Sequence, residues 1–447
     1  MNEQTLKKVL INLPKNAPQA IVNQLFVPDF LTALGFNLME RVPEYNTGDC
    51  GTVDYALRHN IDDEDTFLST QSNPYVLLEL KSRDCNLSQG SAQYKSTVEQ
   101  LKRYLMSSNC KTVQWGIITN SEHIQLFRKH GKVIYPATPC LDITPDNFIE
   151  IVKNVRNKIE NPPKALTVAI YNNKGGVGKT TTTVNLAAVL TLKGKKVLII
   201  DFDPNQRDLT NSLQIKQGTE TLYSYLEDKN NKVQSINVIR PFVIKNKTTG
   251  QIYQIDVIPV DEKLAIQHED KLRQNLSIRR LYQVLKHLKN EYDYILIDSP
   301  PNWRFFSQSA VYASDVVLIP TKHNNIFSLE NAAIAIKDFI PQVQQERKDG
   351  GPIALPIFFN GESITDAGRK TAHKAIQDII KQGVETQFNL VSYFYPHYTK
   401  ANPNFHIFVL PSYAHIANAA FSRVPAACKD RTAHNYYLQL AKEYFLQ

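Results

Sequence analysis

Between Tyr171 and Thr183 the chain reads YNNKGGVGKTTTT, with two lysines set around three glycines. Lys179 stands where the phosphate-loop pattern G-x-x-x-x-G-K-[ST] places its lysine. The glycines let successive backbone N–H groups turn inward. Gly175, Gly176, Val177, Gly178, Lys179, Thr180 and Thr181 then form a nest for phosphate oxygens at the start of a helix. Lys179 would reach the β and γ phosphates of a nucleotide, and the Thr180 hydroxyl would ligate Mg²⁺. An apolar strand before the loop and a helical pattern after it are the context such a nest requires. Lys174, just ahead of the glycines, is a second cation that the pattern does not need.

Phosphate chemistry also needs carboxylates at the ends of neighbouring strands. VLIIDFDP closes one apolar run on Asp201 and Asp203, and YDYILIDSPP closes another on Asp298. Each could be a solvated strand tip. Convergence on the edge that carries the phosphate loop favours chemistry instead. Asp298 would hold Mg²⁺ through its water shell, with Asp201 on the metal side and Asp203 orienting the attacking water.

A second set of residues lies earlier in the chain. CGTVDYALRHN puts Asp54 in a strand, and after an acidic loop YVLLELKS puts Glu79 and Lys81 in another. Two apart, Glu79 and Lys81 share one face of a strand. Two carboxylates that hold Mg²⁺, with a lysine that positions the attacking water, are the parts of a metal-dependent phosphodiester cleavage site. The E-x-K pattern alone also occurs on any solvated strand. In VEQLKRYL, Gln100 and Tyr104 lie four apart on one helical face.

These residues need a frame. A chain of 447 residues is too long for one ordinary domain. The Pro-Pro stretch NKIENPPKA, residues 157–165, reads as a linker, which divides the chain into domains at 1–160 and 161–447. The second domain alternates short β-branched runs (TVAIY, KVLIIDFD, QIDVIPV, YILIDSP, DVVLIP) with helical patterns. That pattern predicts an α/β fold with a mostly parallel sheet covered by helices on both faces. Residues 227–252 are polar and lysine-rich and read as a surface hairpin or loop. The formal charge of +8 is uneven. Residues 1–160 hold 17 Lys and Arg against 18 Asp and Glu, and the remainder holds 34 against 25. A basic second half can attract DNA. Five scattered cysteines without CxxC spacing imply neither a disulfide framework nor a zinc site. No apolar run has the length of a membrane span, and MNEQTLKKVLINLPKN lacks the apolar stretch of a signal peptide, so the chain reads as cytosolic.

KGGVGKTTTTVNLAAVL, VLIIDFDPNQRDLTNSL and YILIDSPPN together resemble the deviant Walker A ATPases of the ParA/MinD group. IDVIPVDEKLA, SDVVLIPTKHNNIFSLEN and LPSYAHIANAAFSRVPAA follow in the order of the ParA branch, so the resemblance runs over nearly all of residues 165–447. It implies a P-loop NTPase fold, ATP and Mg²⁺, and a homodimer when ATP is bound. It gives Lys174 a role: reaching across the dimer to the phosphates held by the other subunit. It further implies sequence-non-specific DNA binding with nucleoid association, and a small partner protein that stimulates hydrolysis. Candidates for the DNA contacts are Arg369, Lys370, Lys374, Lys400, Arg423, Lys429 and Arg431. The chain departs from the family's C-terminal arginine segment, reading YAHIANAA with His415 and Asn418. The final AHNYYLQLAKEYFLQ is amphipathic, with a spacing that suits packing on the sheet and not a membrane surface.

Residues 15–135 are similar to the N-terminal nuclease domain of type I restriction subunits, a PD-(D/E)xK restriction-endonuclease-like α/β fold. This resemblance implies metal-binding roles for Asp54 and Glu79, support from Lys81 and Gln100, and a second Mg²⁺. Relatives often carry a glutamate in the first helix, and Gln24 lies near that place here. The combined expectation is an ATP-dependent partition or cargo-positioning ATPase with a nuclease-like front module. The alternative is a DNA endonuclease switched by ATP.

Overall fold

The structure, a computed structural model, describes the chain except residues 1–2, 63, 231, 246–249, 362, 386–387 and 400. It divides into two compact units. One is Met1–Pro162 with Lys348–Gly351 and Gln447; the other is Pro163–Arg347 with Pro352–Leu446.

Among the described residues the first unit has one sheet of seven strands: β1 (Arg41–Asn46), β2 (Thr52–Leu57), β3 (Val76–Leu80), β4 (Trp115–Thr119), β5 (His123–His130), β6 (Val133–Pro136) and β7 (Leu141–Asp142). β1 to β6 lie side by side in chain order, and β7 pairs with β5. β3 and β4 run parallel because the helix Ala92–Met106 carries the chain back across the sheet; the remaining pairs are antiparallel. Alternation sorts the side chains of β3. Val76, Leu78 and Leu80 join Phe26, Phe30 and Phe148 in one core, and Leu77 joins Val98, Leu101 and Leu105 of the crossing helix in another. That helix sits close on β4 because Gly116 has no side chain. A Cβ there would lie 2.9 Å from Leu101 Cδ2. Inside this unit Lys129 of β5 is 3% exposed and donates to the Cys110 carbonyl at 2.8 Å. Burial lowers its ammonium to about 8.

The second unit carries β8 (Leu166–Ile170), β9 (Val197–Asp201), β10 (Arg240–Lys245), β11 (Ile252–Ile258), β12 (Tyr294–Asp298), β13 (Val316–Leu318), β14 (Pro320–Thr321), β15 (Ile353–Ala354), β16 (Phe358–Asn360) and β17 (Val409–Leu410). Its main sheet runs β10-β11-β9-β12-β8-β13-β15, all parallel but for the antiparallel edge pair β10/β11. β14, β16 and β17 form a smaller parallel sheet. Every residue of β8, β9 and β12 is buried, as continuous apolar strands covered on both faces must be. One face packs Leu198, Ile200, Ile295 and Ile297 under the helices Arg280–Leu288 and Phe305–Ala313. The same face continues through Ala169, the register partner of Ile297, and Val317 to a further cluster under Ile326–Ile334 and Asp366–Glu385. The stretch 227–252 supplies β10, which joins the sheet as its edge.

The helix Lys179–Leu192 is buried on nearly all sides and rests against β9, β11 and β12 and the helix Arg431–Tyr444. Arg431–Tyr444 turns Ala433, Tyr437, Leu440 and Ala441 inward, so its apolar face is spent within the unit. No helix among the described residues is long and apolar enough to cross a membrane.

Candidate nucleotide site and a second polar cluster

β8 delivers the chain to the glycine loop, and Gly178 caps the helix that follows with φ +82°. Gly176 also has positive φ, +74°, which an L side chain would strain. A Cβ on Gly178 would collide with the Asn360 amide. That amide, at the tip of β16, donates to the Val177 carbonyl at 2.8 Å and braces the loop from the far side of the unit. Asn172 donates to the carbonyls of Pro320 and Ser328, and Ser299 donates to that of Ile170, which fixes the strand ends around the loop.

The loop's side chains meet the acidic strand tips. Asp201 and Asp298 are register partners at the ends of β9 and β12, and Asp298 also pairs with Ile170 of β8. Thr180 Oγ1 donates to Asp298 Oδ2 at 2.6 Å, while Asp298 Oδ1 is buried with no hydrogen-bond partner among the described residues. Burial pushes the Asp298 carboxyl well up, and the Asp201 charge adds to the push; the Thr180 hydroxyl and Lys179 ammonium act against it. Lys179 Nζ donates to the Lys174 carbonyl at 3.0 Å, and burial lowers its own pKa. Asp203 Oδ1 accepts from the backbone N–H groups of Asn205 and Gln206 at 3.2 Å each. Asp201 faces differently. Its Oδ2 accepts from both the backbone and the hydroxyl of Thr210, at 2.8 and 2.6 Å, and burial raises it to about 6. Its carboxylate therefore anchors the next chain segment and stands behind Asp298. The Lys174 ammonium lies 5.9 Å from the centroid of the Phe327 ring, itself 61% exposed.

Two cavities adjoin the loop. One, of about 330 Å³, is lined by Thr180, Thr181, Asn185, Asp208 and Arg423. The other, of about 240 Å³, is lined by Gly176, Gly178, Asn360, Pro411 and Tyr413. Thr181, Ile416 and Ala417 border both. Of the basic residues read as DNA contacts, Arg423 donates to the Asn211 carbonyl at 2.5 Å and lines the first cavity, next to Thr180. Arg369, Lys370 and Lys374 are exposed on the helix Asp366–Glu385; Lys370 and Lys374 lie on the side away from its buried Ala372, Ile376 and Ile379, and Arg369 precedes Ala372 by one turn on the same stripe. Lys429 and Arg431 are exposed beside the start of the last helix, as are His415 and Asn418 on the short segment before it. Lys400 lies outside the described residues.

The first unit also brings its named residues together. Lys81, one residue past the end of β3, contacts Glu79 Oε1 at 2.6 Å and donates to Gln100 Oε1 at 3.0 Å; Gln100 in turn donates to the Tyr104 hydroxyl at 2.7 Å. Asp54, on the adjacent β2, accepts from the Leu80 N–H at 2.6 Å and from Gln19 Nε2 at 2.8 Å. Burial raises both carboxyls, Glu79 to about 7, against the pull of Lys81. Gln24, which the sequence placed near this point, is exposed. Gln19, at the start of the same helix, is the side chain that meets Asp54. The helix Gln19–Leu25 begins directly after Pro18, whose fixed φ suits the N-cap position. Asp54 and Glu79 are two carboxylates. Among the described residues no group of three or more His, Cys, Asp or Glu is arranged to hold a metal ion.

Sequence reading missed Asn360, Thr210 and Gln19. Asn360 closes the apolar run IFFN as Asp298 closes YILID, a signal of the same kind. Thr210 and Gln19 carry no such mark.

Residues 165–350 match the AAA domain family. The sporulation initiation inhibitor protein Soj of Bacillus subtilis (strain 168) is 39% identical over 158 residues, 35% of this chain and 57% of the relative. The chromosome-partitioning ATPase Soj of Treponema pallidum (strain Nichols) is 29% identical over 228 residues, 50% of this chain and 81% of the relative. The chain thus spans little more than half the length of the Bacillus relative. The solved cell division ATPase MinD of Pyrococcus furiosus aligns with a TM-score of 0.45 at 21% identity, over 62% of this chain and 98% of that one. Within the second unit, residues 165–350 thus match the AAA domain model, and this part of the chain is similar to the Soj proteins.

Proposed function

We propose that the second unit is an ATPase that dimerises around bound ATP, docks on DNA without sequence preference and positions a plasmid, chromosome or other cargo. The observation that supports it most is the meeting of Thr180 with Asp298 beside a buried lysine and an open glycine nest. The nest's N–H groups and Lys179 would bind the phosphates, with Lys179 exchanging the Lys174 carbonyl for a phosphate oxygen. The orphaned Asp298 Oδ1 and the Thr180 hydroxyl form a hard oxygen donor set that fits Mg²⁺. Bound there, Mg²⁺ would neutralise charge on the phosphates. Asp203, held by two backbone amides, would orient the attacking water. Asp201 would stiffen the metal side through Thr210. Asn360 and Tyr413 border the cavity where a nucleoside would lie.

Lys174 would clamp the partner's ATP in trans, a contact that exists only while nucleotide is bound. Arg369, Lys370 and Lys374 would meet DNA phosphates, and a small partner protein would stimulate turnover. Sedimentation with a non-hydrolysable ATP analogue tests the core of this reading. Dimers with wild type and monomers with Lys174→Ala are expected; monomers with both would end it.

The Asp54–Glu79–Lys81 cluster favours a second reading, an endonuclease that ATP switches. Two carboxylates suit one divalent cation whose other positions are water, and Lys81 would orient the attacking water. Plasmid nicking in Mg²⁺ or Mn²⁺ that Lys81→Ala abolishes is the expected result on this reading. Intact plasmid under both metals would reject it.

A further inference from the structure

Lys174 opens the phosphate loop as a cation that the loop's own nucleotide does not require. A lysine beside flexible glycines loses much rotamer freedom when it is placed. Among the described residues its ammonium makes no hydrogen bond and no ion pair. What it meets is a ring. The Phe327 centroid lies 5.9 Å from Lys174 Nζ, within the reach of a cation–π contact.

That ring is held where it stands. Phe327 is the second residue of the helix Ile326–Ile334, whose start is capped by the Asn325 side chain accepting from the Ser328 N–H. Successive residues of the loop address this helix. Asn172 donates to the Ser328 carbonyl at 3.0 Å, and Asn173 donates to Asn331 Oδ1 at 3.2 Å. Asn331 donates in turn to the Phe327 carbonyl at 2.7 Å. Lys174, next in line, reaches the ring itself. Ser328, Leu329, Ala332 and Ala333 bury the inner side of the helix. Phe327 and Ile334, seven apart, share its outer side and are 61% and 37% exposed. Glu330 is exposed on the same helix and forms no ion pair with Lys174.

We propose that Phe327 is the positioning residue of Lys174: its ring seats the ammonium on the face that a second copy of the chain covers when ATP closes the dimer. The inference rests on the reading of Lys174 as a contact made in trans. If that lysine crosses between two chains, a ring 5.9 Å from its charge lies in the same interface. There the second copy excludes water, and the attraction between cation and ring face strengthens as both are desolvated. A lysine already seated also gives up less freedom on closure, so the ring raises dimer affinity without touching the nucleotide. Leucine would keep the apolar bulk and lose the ring's negative face.

Sedimentation of the full chain with a non-hydrolysable ATP analogue, over a range of protein concentrations, tests this. Wild type is expected to dimerise. Phe327→Leu should raise the dimer dissociation constant about tenfold, with an unchanged melting profile as its control. Phe327→Trp, which keeps a ring face for the cation, should dimerise as wild type does. Glu330→Gln should leave the constant where it is. Equal dimerisation by Phe327→Leu and wild type would overturn the positioning role and leave the trans reading standing. A loss as large in Phe327→Trp as in Phe327→Leu would overturn it too, because the ring would then act by shape alone. So would an equal loss in Glu330→Gln, which would make the carboxylate the seat. Wild type that stays single would end the trans reading, and this inference with it.

Discussion

Lys179 in the second unit and Lys81 in the first are both ammonium groups set among buried carboxylates, and their partners differ. Lys179 donates to a carbonyl of its own loop, while Asp298 and Asp203 act on it as nearby charges. An incoming phosphate can take over that bond at little cost. Lys81 is locked in a 2.6 Å ion pair with Glu79 and a further bond to Gln100, and Asp54 is held by a backbone N–H and by Gln19. A ligand entering there must first part groups that already satisfy one another. One site is built to receive an anion; the other is a closed network that must be opened before it can act.

The largest effect should come from breaking the receptive site. Lys179→Ala is expected to lower ATP turnover about a hundredfold or more, read as phosphate release, with the melting of the first unit unchanged. If turnover persisted, phosphate binding would have to rest on the glycine nest without its ammonium.

Lys129 sharpens the contrast, as a buried ammonium that donates to a carbonyl where no anion is expected to arrive. Its folded pKa, about 8, lies below the ordinary 10.5, so the unfolded chain binds the extra proton between those values. The sign is then fixed: stability rises with pH from about 8 to 10.5, by up to about 3 kcal/mol. Lys129→Met should flatten that rise. Denaturant melts followed by Trp115 fluorescence in a Trp303→Phe background would measure it.

A smaller change is expected from opening the closed network. Lys81→Met strands two buried carboxylates and should cost the first unit about 2 kcal/mol in the same melts, with nucleotide affinity of the second unit unchanged. Gln19→Ala removes one bond to Asp54 and should cost about 1 kcal/mol. A cost near zero would mean that Gln19 adds nothing to the network's closure.

How much of this could be read in advance follows from sequence distance. The phosphate loop is contiguous, and the strands that end on Asp201 and Asp298 are fully buried runs that announce a parallel sheet by composition. Asn360 braces that loop from 183 residues away from Val177, and Gln19 reaches Asp54 across 35, so neither contact leaves a local pattern. Gln24, near the place where relatives carry a glutamate, is exposed, while Gln19 of the same helix meets Asp54. β10 was hard to see because an edge strand with Pro241 and alternating exposure has half the apolar signal of a covered one. Arg423 read as a surface cation because sequence gives its charge but not its bond to Asn211.

Asn185, on the helix that follows the phosphate loop, accepts a bond from the backbone of Ala427, and the helix Arg431–Tyr444 lies along its flank. The segment from Ala427 onward is thus the clasp of a motif made much earlier during synthesis. A nascent chain still lacking that segment would carry every residue of the loop and yet hold it loosely. Truncation ahead of Ala427 should therefore be as damaging as changes to the glycines themselves.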